Sequence, residues 1–406
     1  MNRRELLLAT ACLVACGDSS GTPGALRDAA VDAQVARDAS TPSDTTADAT
    51  TDTMADGSFS DAGAEACDAL PIPRDCPPLA GNALPQDLRC TGLYADWAAR
   101  QVACGIAPYT PAYTLWSDGA DKQRYLWLPP GTTIDVSNPD GFVFPEGTRL
   151  WKEFRIIDGD HLRLGETRLL VKRKDVWSMT TYVWSEDESR AVQTNDGVAD
   201  LYGTGHTVPT RDECDTCHGG RADFVLGFDP IMLGAGASGL TLQTLRERHQ
   251  LRDPSQPDGA PSASLFDAVA PGDATESAAL GYLHANCGVS CHNQEAFADA
   301  KLSGLNLRLE HGEYENVAST DAFETAINQA YGDNATLPPG PVPAGGYLRV
   351  RPTDPSRSLL LARMKVRGPA QMPRIGTNTI DDVGIAAVQR WIEQMSTARG
   401  YPAPLP

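Results

Sequence analysis

His161–Asp187 reads HLRLGETRLLVKRKDVWSMTTYVWSED. Apolar and polar residues alternate through it in short runs, the period of a strand whose successive side chains point to opposite faces. Trp177, Met179, Thr181 and Val183 fall on one face, and Thr180, Tyr182 and Trp184 on the other. Upstream, YTLWSDGADKQRYLWLPPGTTIDV (Tyr113–Val136) and GFVFPEGTRLWKEFRII (Gly141–Ile157) repeat the pattern, with Gly, Pro and Asp at turn spacing. From about Pro108 to Val192 the chain is strand-like, and a β-sandwich-like domain is the packing this pattern predicts. His161 lies at a turn-flanked strand start and is expected at the surface.

Beyond Gly203 the period changes. LTLQTLRERHQL (Leu240–Leu251) and DATESAALGYLHAN (Asp273–Asn286) read as helices, the second with Asp273 and Glu276 spaced for a capping box. SRSLLLARMKV (Ser356–Val366) and DDVGIAAVQRWIEQM (Asp381–Met395) follow; Ile385, Val388, Ile392 and Met395 recur at helical period. The second half is therefore expected to be mostly helical, with a loop around LPPGPVPAGG. The fold class is multidomain α+β.

The chain of 406 residues opens MNRRELLLATACLVACGDSS. A basic start and a short apolar run read as an export signal, too short for a permanent membrane span. LVAC resembles the lipobox of bacterial lipoproteins, which makes Cys16 the lipidation candidate and residues 1–16 the signal. Arg3-Arg4 also admits twin-arginine export, the weaker reading. Residues 17–66 hold ten acids against two arginines and almost no large apolar side chain. Such a segment cannot offset chain entropy and is expected to be a disordered acidic tether. Part of the formal charge of −19 sits there, and the acidic balance speaks against nucleic-acid binding.

Cys67, Cys76, Cys90 and Cys104 lie in a Pro-rich, loop-like stretch. In an oxidising compartment they make two disulfides, with three connectivities open. They open a β-rich domain over residues 67–203. A first cofactor segment spans 204–272 and a second domain 273–397.

ECDTCHGG (Glu213–Gly220) carries Cys214, Cys217 and His218. Cysteines three apart on a helical turn face one way and can add as thioethers to one haem, and the adjoining histidine then reaches the iron. A zinc site needs more ligands than this segment supplies, and a thioredoxin-like pair lacks its βαβ surroundings. HANCGVSCHNQ (His284–Gln294) holds Cys287, Cys291 and His292 as C-x-x-x-C-H, one residue longer than the usual motif. A small disulfide would leave His292 unexplained, whereas a locally widened turn absorbs the extra residue. Two covalently bound haems c are the expectation, with His218 and His292 as proximal ligands.

Met372, in the loop AQMPRIG, is the candidate distal ligand of the second haem, since Met-Pro in a loop is poor core material. Met364 and Met395 fall at apolar helical spacing and read as core. For the first haem His206 ranks ahead of Met232, and His249 lies on a polar helix. A bare fifth-coordinate iron is the third case. His284 is too close to Cys287 to reach the opposite haem face.

From Trp116 onward the chain resembles a family of secreted bacterial di-haem c-type cytochromes with a β-rich region ahead of the haem units. The strings that carry the resemblance are LWSDGADKQRYLWLP, FPEGTRLWKEF, GETRLL, TYVWSED, CDTCHGG with VLGFD, YLHANCGVSCHN, and PSRSLLLARM with QMP and WIEQM. The ending is similar to many single-haem cytochrome c domains, in which a loop Met-Pro supplies the distal ligand. The family's second motif is C-x-x-C-H, so Cys287 departs from it. The resemblance implies single-electron transfer between redox proteins of the cell envelope by a lipid-anchored chain, at the periplasmic face or outer membrane. A di-haem peroxidase or oxidase with an open first iron is the alternative. An envelope binding module built on the β-rich domain is a third.

Overall fold

The structure, a computed structural model, describes Cys67 and residues 69–405. The export signal, Cys16 and the acidic tether fall within residues 1–66, outside the described residues.

The opening stretch becomes the centre of a sheet. Its two arms are β7 (His161–Arg173) and β8 (Val176–Trp184), joined at Lys174 and Asp175, both with positive φ (48° and 61°). A two-residue loop with two left-handed residues twists in the same sense as the strands it joins, which fixes Arg173 opposite Val176. Earlier strands are β1 (Tyr94–Asp96), β2 (Gln101–Val102), β3 (Ala107–Thr110), β4 (Asp121–Trp127), β5 (Ile134–Asp135) and β6 (Arg149–Asp158). After them come β9 (Ala191–Thr194), β10 (Ser238–Gly239) and β11 (Leu251–Arg252). One antiparallel sheet runs β10-β3-β4-β6-β7-β8-β9, while β1 with β2 and β5 with β11 form two-stranded sheets.

Among the described residues the seven-stranded sheet is the one large sheet, and each of its faces is covered by a mixed layer to which the two-stranded sheets contribute. On one face Leu126, Leu150, Leu170, Trp177 and Met179 pack against Phe228, Leu233, Leu242 and Leu245. On the other, Tyr125, Trp151, Leu169, Tyr182 and Trp184 pack against Leu84, Leu88, Leu93 and Ile106. The second cover is the Pro-rich segment, in which Cys67 meets Cys104 and Cys76 meets Cys90 at Cα–Cα distances of 5.5 and 5.7 Å. The alternation is thus real on both faces, and the stapled loop, short helices and the two small sheets supply the covering layers.

The helices are α1 (Arg211–His218), α2 (Pro230–Leu233), α3 (Leu242–Glu247), α4 (Ala274–Leu283), α5 (Asp321–Ala326), α6 (Leu359–Met364) and α7 (Asp382–Gln394). The expectation of a mostly helical second half needs correction: these helices are short and long irregular segments separate them, the Pro/Gly-rich LPPGPVPAGG among them. The capping box forms as expected, with Asp273 accepting from Glu276 N and Glu276 accepting from Asp273 N. α4 crosses α7 closely because residue 384 is glycine; a Cβ there would lie 2.2 Å from the Tyr282 ring. Leu280, Leu283, Val388, Trp391, Ile392 and Met395 fill the core between the helices. Tyr401 ties it off, accepting from Trp391 Nε1 at 2.9 Å and donating to Glu276 at 2.7 Å. Among the described residues no helix is long and apolar enough to cross a membrane.

Candidate cofactor site

α1 starts at Thr210, whose hydroxyl accepts from Glu213 N while Glu213 accepts from Thr210 N. This cap sets the phase of one regular turn that carries Cys214, Cys217 and His218. The His218 Nδ1 sits 2.6 Å from the Phe224 carbonyl. A carbonyl only accepts, so Nδ1 holds the proton and Nε2 is the lone-pair nitrogen. Burial pushes the imidazole down to about 4, with Lys152 and Arg168 adding to the effect against the Phe224 contact, so the ring is neutral at ordinary pH.

The second motif departs from the α-helix where the sequence carries its extra residue. α4 runs into a π-helical turn, His284–Gly288. Val289 N donates to His284 O (2.9 Å), and His292 N donates to Cys287 O (2.8 Å) across the same wide five-residue step. Such bulges insert one residue without ending the helix, which is how C-x-x-x-C-H is accommodated. The His292 Nδ1 lies 3.5 Å from Ser303 Oγ. Burial lowers its basicity to about 4 as well, against the effect of the Leu305 main chain. Both imidazoles are therefore neutral, and His218 is oriented through a main-chain carbonyl, an arrangement that fixes a metal-binding histidine.

The two motifs meet. Gly220 lies against Ser290, and a Cβ on residue 220 would fall 1.8 Å from Ser290 O. Asn293 Nδ2 donates to Gly220 O (3.3 Å) and Gly288 O (2.7 Å). Cys217 and Cys291 share a hydrogen bond that, with burial, holds the Cys217 proton on. Burial likewise raises Cys287 to about 12. All four motif cysteines are unbridged thiols, so Cys287 and Cys291 do not form the small disulfide.

The loop carrying Met372 is moored at the second motif. Arg374 pairs with Asp299 at 3.0 Å, and Ala300 N donates to Cys291 O at 3.2 Å. Met372 N donates to Arg363 O (3.1 Å), and Arg363 acts electrostatically on His292. His206 is buried, its Nε2 2.9 Å from Glu166 and its Nδ1 without a partner among the described residues. Burial tends to raise the Glu166 carboxyl, but Arg168 and His206 outweigh it and hold the group at about 2. Met232 is buried, following the Asp229 cap of α2. His284 is fully engaged between Asp229 (3.3 Å) and Leu309 N (2.9 Å). His161 and His249 are exposed, and Met364 and Met395 are core.

Three residues of the surroundings escaped the sequence reading. Asn286, inside HANC, accepts from Trp116 N at 2.7 Å. Asp118 accepts from Asn378 N and Thr379 N at 2.7 and 2.8 Å. Asn378 in turn donates to Gly205 O and Thr207 Oγ1. The LWSDG segment is thus the clamp that joins the sheet to the second motif and the Met372 loop. The string signalled itself only as a turn.

Among the described residues no group of three or more His, Cys, Asp or Glu is arranged to hold a metal ion. A haem iron takes four of its bonds from the porphyrin and needs only one or two from protein, so the separate imidazoles suit it where a zinc tetrad would not be served. A surface recess of about 420 Å³, lined by Asp354, Lys365, Gln389 and Glu393 among others, shares no residue with either motif. Compared with known proteins, the chain matches no family model, no curated sequence and no solved structure.

Proposed function

We propose that the protein is an exported di-haem c-type cytochrome that transfers single electrons in the cell envelope. The observation that carries this reading is the juxtaposition of two Cys-His motifs about seventy residues apart in sequence, each with a buried, neutral histidine. Haem supplies one-electron redox chemistry. The chain's own part is to present thiols for attachment, orient His218 and His292 as proximal ligands, and exclude water from both. Met372 is the distal ligand proposed for the second site, and the Arg374–Asp299 pair holds its loop in place. The proposed partners are redox proteins of the envelope, with Cys16 as a lipid anchor.

His206 is the first candidate to close the first site, since Glu166 holds its Nε2 while its buried Nδ1 has no partner among the described residues; a peroxidase or oxidase requires that nitrogen to stay off the iron.

Purified full-length protein matured with haem should give a pyridine haemochrome of two haems per chain, both low-spin. One high-spin ferric haem with rapid peroxide turnover sinks the electron-carrier reading in favour of the enzyme. Cys287→Ala should red-shift the α-band of one haem, leaving a single thioether. An unshifted band with both bonds intact removes Cys287 from the attachment set.

A further inference from the structure

Three neighbouring strands place three cations in one line. Arg124 on β4 is opposite Lys152 on β6, which is opposite Arg168 on β7. Directly opposed side chains on one sheet face lie about 5 Å apart, and like charges there repel. Arg168 alone has a carboxylate, Glu166, at 2.6 Å. Among the described residues no acid forms an ion pair with Arg124 or Lys152. Arg124 is 6% exposed, and its guanidinium donates to the Lys122 carbonyl at 3.3 Å. The Lys152 ammonium meets the Phe154 ring, 4.9 Å from its centroid, and Arg168 lies over the same ring at 4.3 Å. Lys122 adds a fourth positive charge next to the row, moderated by Asp121 and Asp118.

Arg124 is buried and Lys152 half-buried, both without an acid partner among the described residues, and such charge is tolerated best when an anion pairs with it. Its position says which anion. Cys214 packs against the core on the sheet face that carries the row, the face of Leu126, Leu150 and Leu170, and Lys152 and Arg168 act on His218 from there. The row therefore borders the first Cys-His motif.

We propose that Arg124, Lys152 and Arg168 form a carboxylate-binding site beside the first motif, and that the propionates of a haem attached there occupy it. The proposal rests on reading that motif as a haem attachment site. An Arg fork and a Lys point charge suit two carboxylates on one rigid edge. Neutralising them also favours the reduced iron, since a nearby cation offsets the extra electron.

The test compares the full haem-loaded chain with Lys152→Gln, Arg124→Gln, Lys152→Arg and Arg155→Gln. Arg155 is on the same strand as Lys152 but pairs with Glu153 (3.5 Å) on the opposite face, so it removes equal charge away from the row. Spectroelectrochemical titration should show one haem potential falling in Lys152→Gln and Arg124→Gln. The expected fall is about 59 mV, a tenfold change in the ferric/ferrous ratio. The other haem should stay fixed, Lys152→Arg should restore the value, and Arg155→Gln should leave both unchanged. A second arm titrates inorganic phosphate. Phosphate binding by the parent chain that Lys152→Gln abolishes, with potentials equal in phosphate-free buffer, keeps the anion site but draws its occupant from solution. Potentials and phosphate response that match the parent in both glutamine variants overturn the proposal. A chain with no haem at Cys214 and Cys217 defeats the motif reading instead, and the phosphate arm alone then decides the row.

Discussion

The two Cys-His motifs perform one geometric task in unlike surroundings. The first lies on a regular α-turn beside a sheet face lined with cations. The second lies on a π-turn, with Cys287 packed against the apolar core of α4 and α7. What they share is the adjacent Cys-His pair and a buried, neutral imidazole. A regular α-turn is dispensable for placing that pair, since a π-turn precedes it in the second motif. The difference also divides the electrostatics. The first site lives among buried charges, which are sensitive to pH and substitution, and the second among apolar side chains and a moored loop.

Glu166→Gln breaks the first environment most severely. Glu166 is fully buried and answers both Arg168 and His206. Removing one partner of a buried pair leaves uncompensated charge and costs about 3 to 5 kcal/mol. The pH dependence has a defined sign. The folded-state carboxyl is held at about 2 against an ordinary 4.5, so its contribution is present above pH 4.5 and is lost as pH falls toward 2. Denaturation midpoints across that range should fall less steeply in Glu166→Gln than in the parent chain, the remaining slope coming from other depressed carboxylates such as Asp229. Equal slopes in the two proteins would remove Glu166 as the acid-sensitive element. The second motif's spectrum should be unchanged at neutral pH wherever the variant is folded.

Gly220→Ala tests whether the motifs depend on one another. The new methyl group would fall 1.8 Å from Ser290 O, and since that atom is main chain, one motif must move. Overpacking of this kind costs about 2 to 3 kcal/mol. The measurable consequence is joint: the spectra of both proposed haems should change, where Glu166→Gln perturbs the first. A change at the first haem alone would mean that the Gly220–Ser290 contact is not a coupling element.

Much of this architecture was legible in the sequence, and the limits have physical causes. The β7–β8 hairpin, the Asp273 capping box and the buried face of α7 came from local periodicity and cap chemistry, which a single segment carries. The single sheet did not, because alternation reports that both faces are covered without saying by what. The Arg124–Lys152–Arg168 row was invisible for a related reason. Its members come from three separate strings, and cross-strand register is set by turn geometry and packing. Disulfide connectivity was likewise open among three choices until Cys67 met Cys104. The widened turn at Cys287 was predictable in kind from one surplus residue, but its five-residue hydrogen-bond step was not.

The gentlest test of the contrast is Asp118→Gly. Asp118 has φ of 52°, which glycine adopts freely, so the substitution removes the carboxylate without straining the backbone. It deletes the acceptor for Asn378 N, Thr379 N and Thr379 Oγ1, at a cost of about 1 to 2 kcal/mol for partly exposed charged hydrogen bonds. That loop leads directly from Met372 to α7, and Asn378 also reaches Gly205 and Thr207 beside His206. Loosening it therefore offers both sites a chance to respond. The expected response is confined to the second: weakening of its Met-to-iron charge-transfer band and a lowered potential, with the first haem unchanged. A shift at the first proposed haem with an intact Met-to-iron band would instead assign the Asp118 contacts to the His206 side, and they would lose their place as the anchor of the Met372 loop.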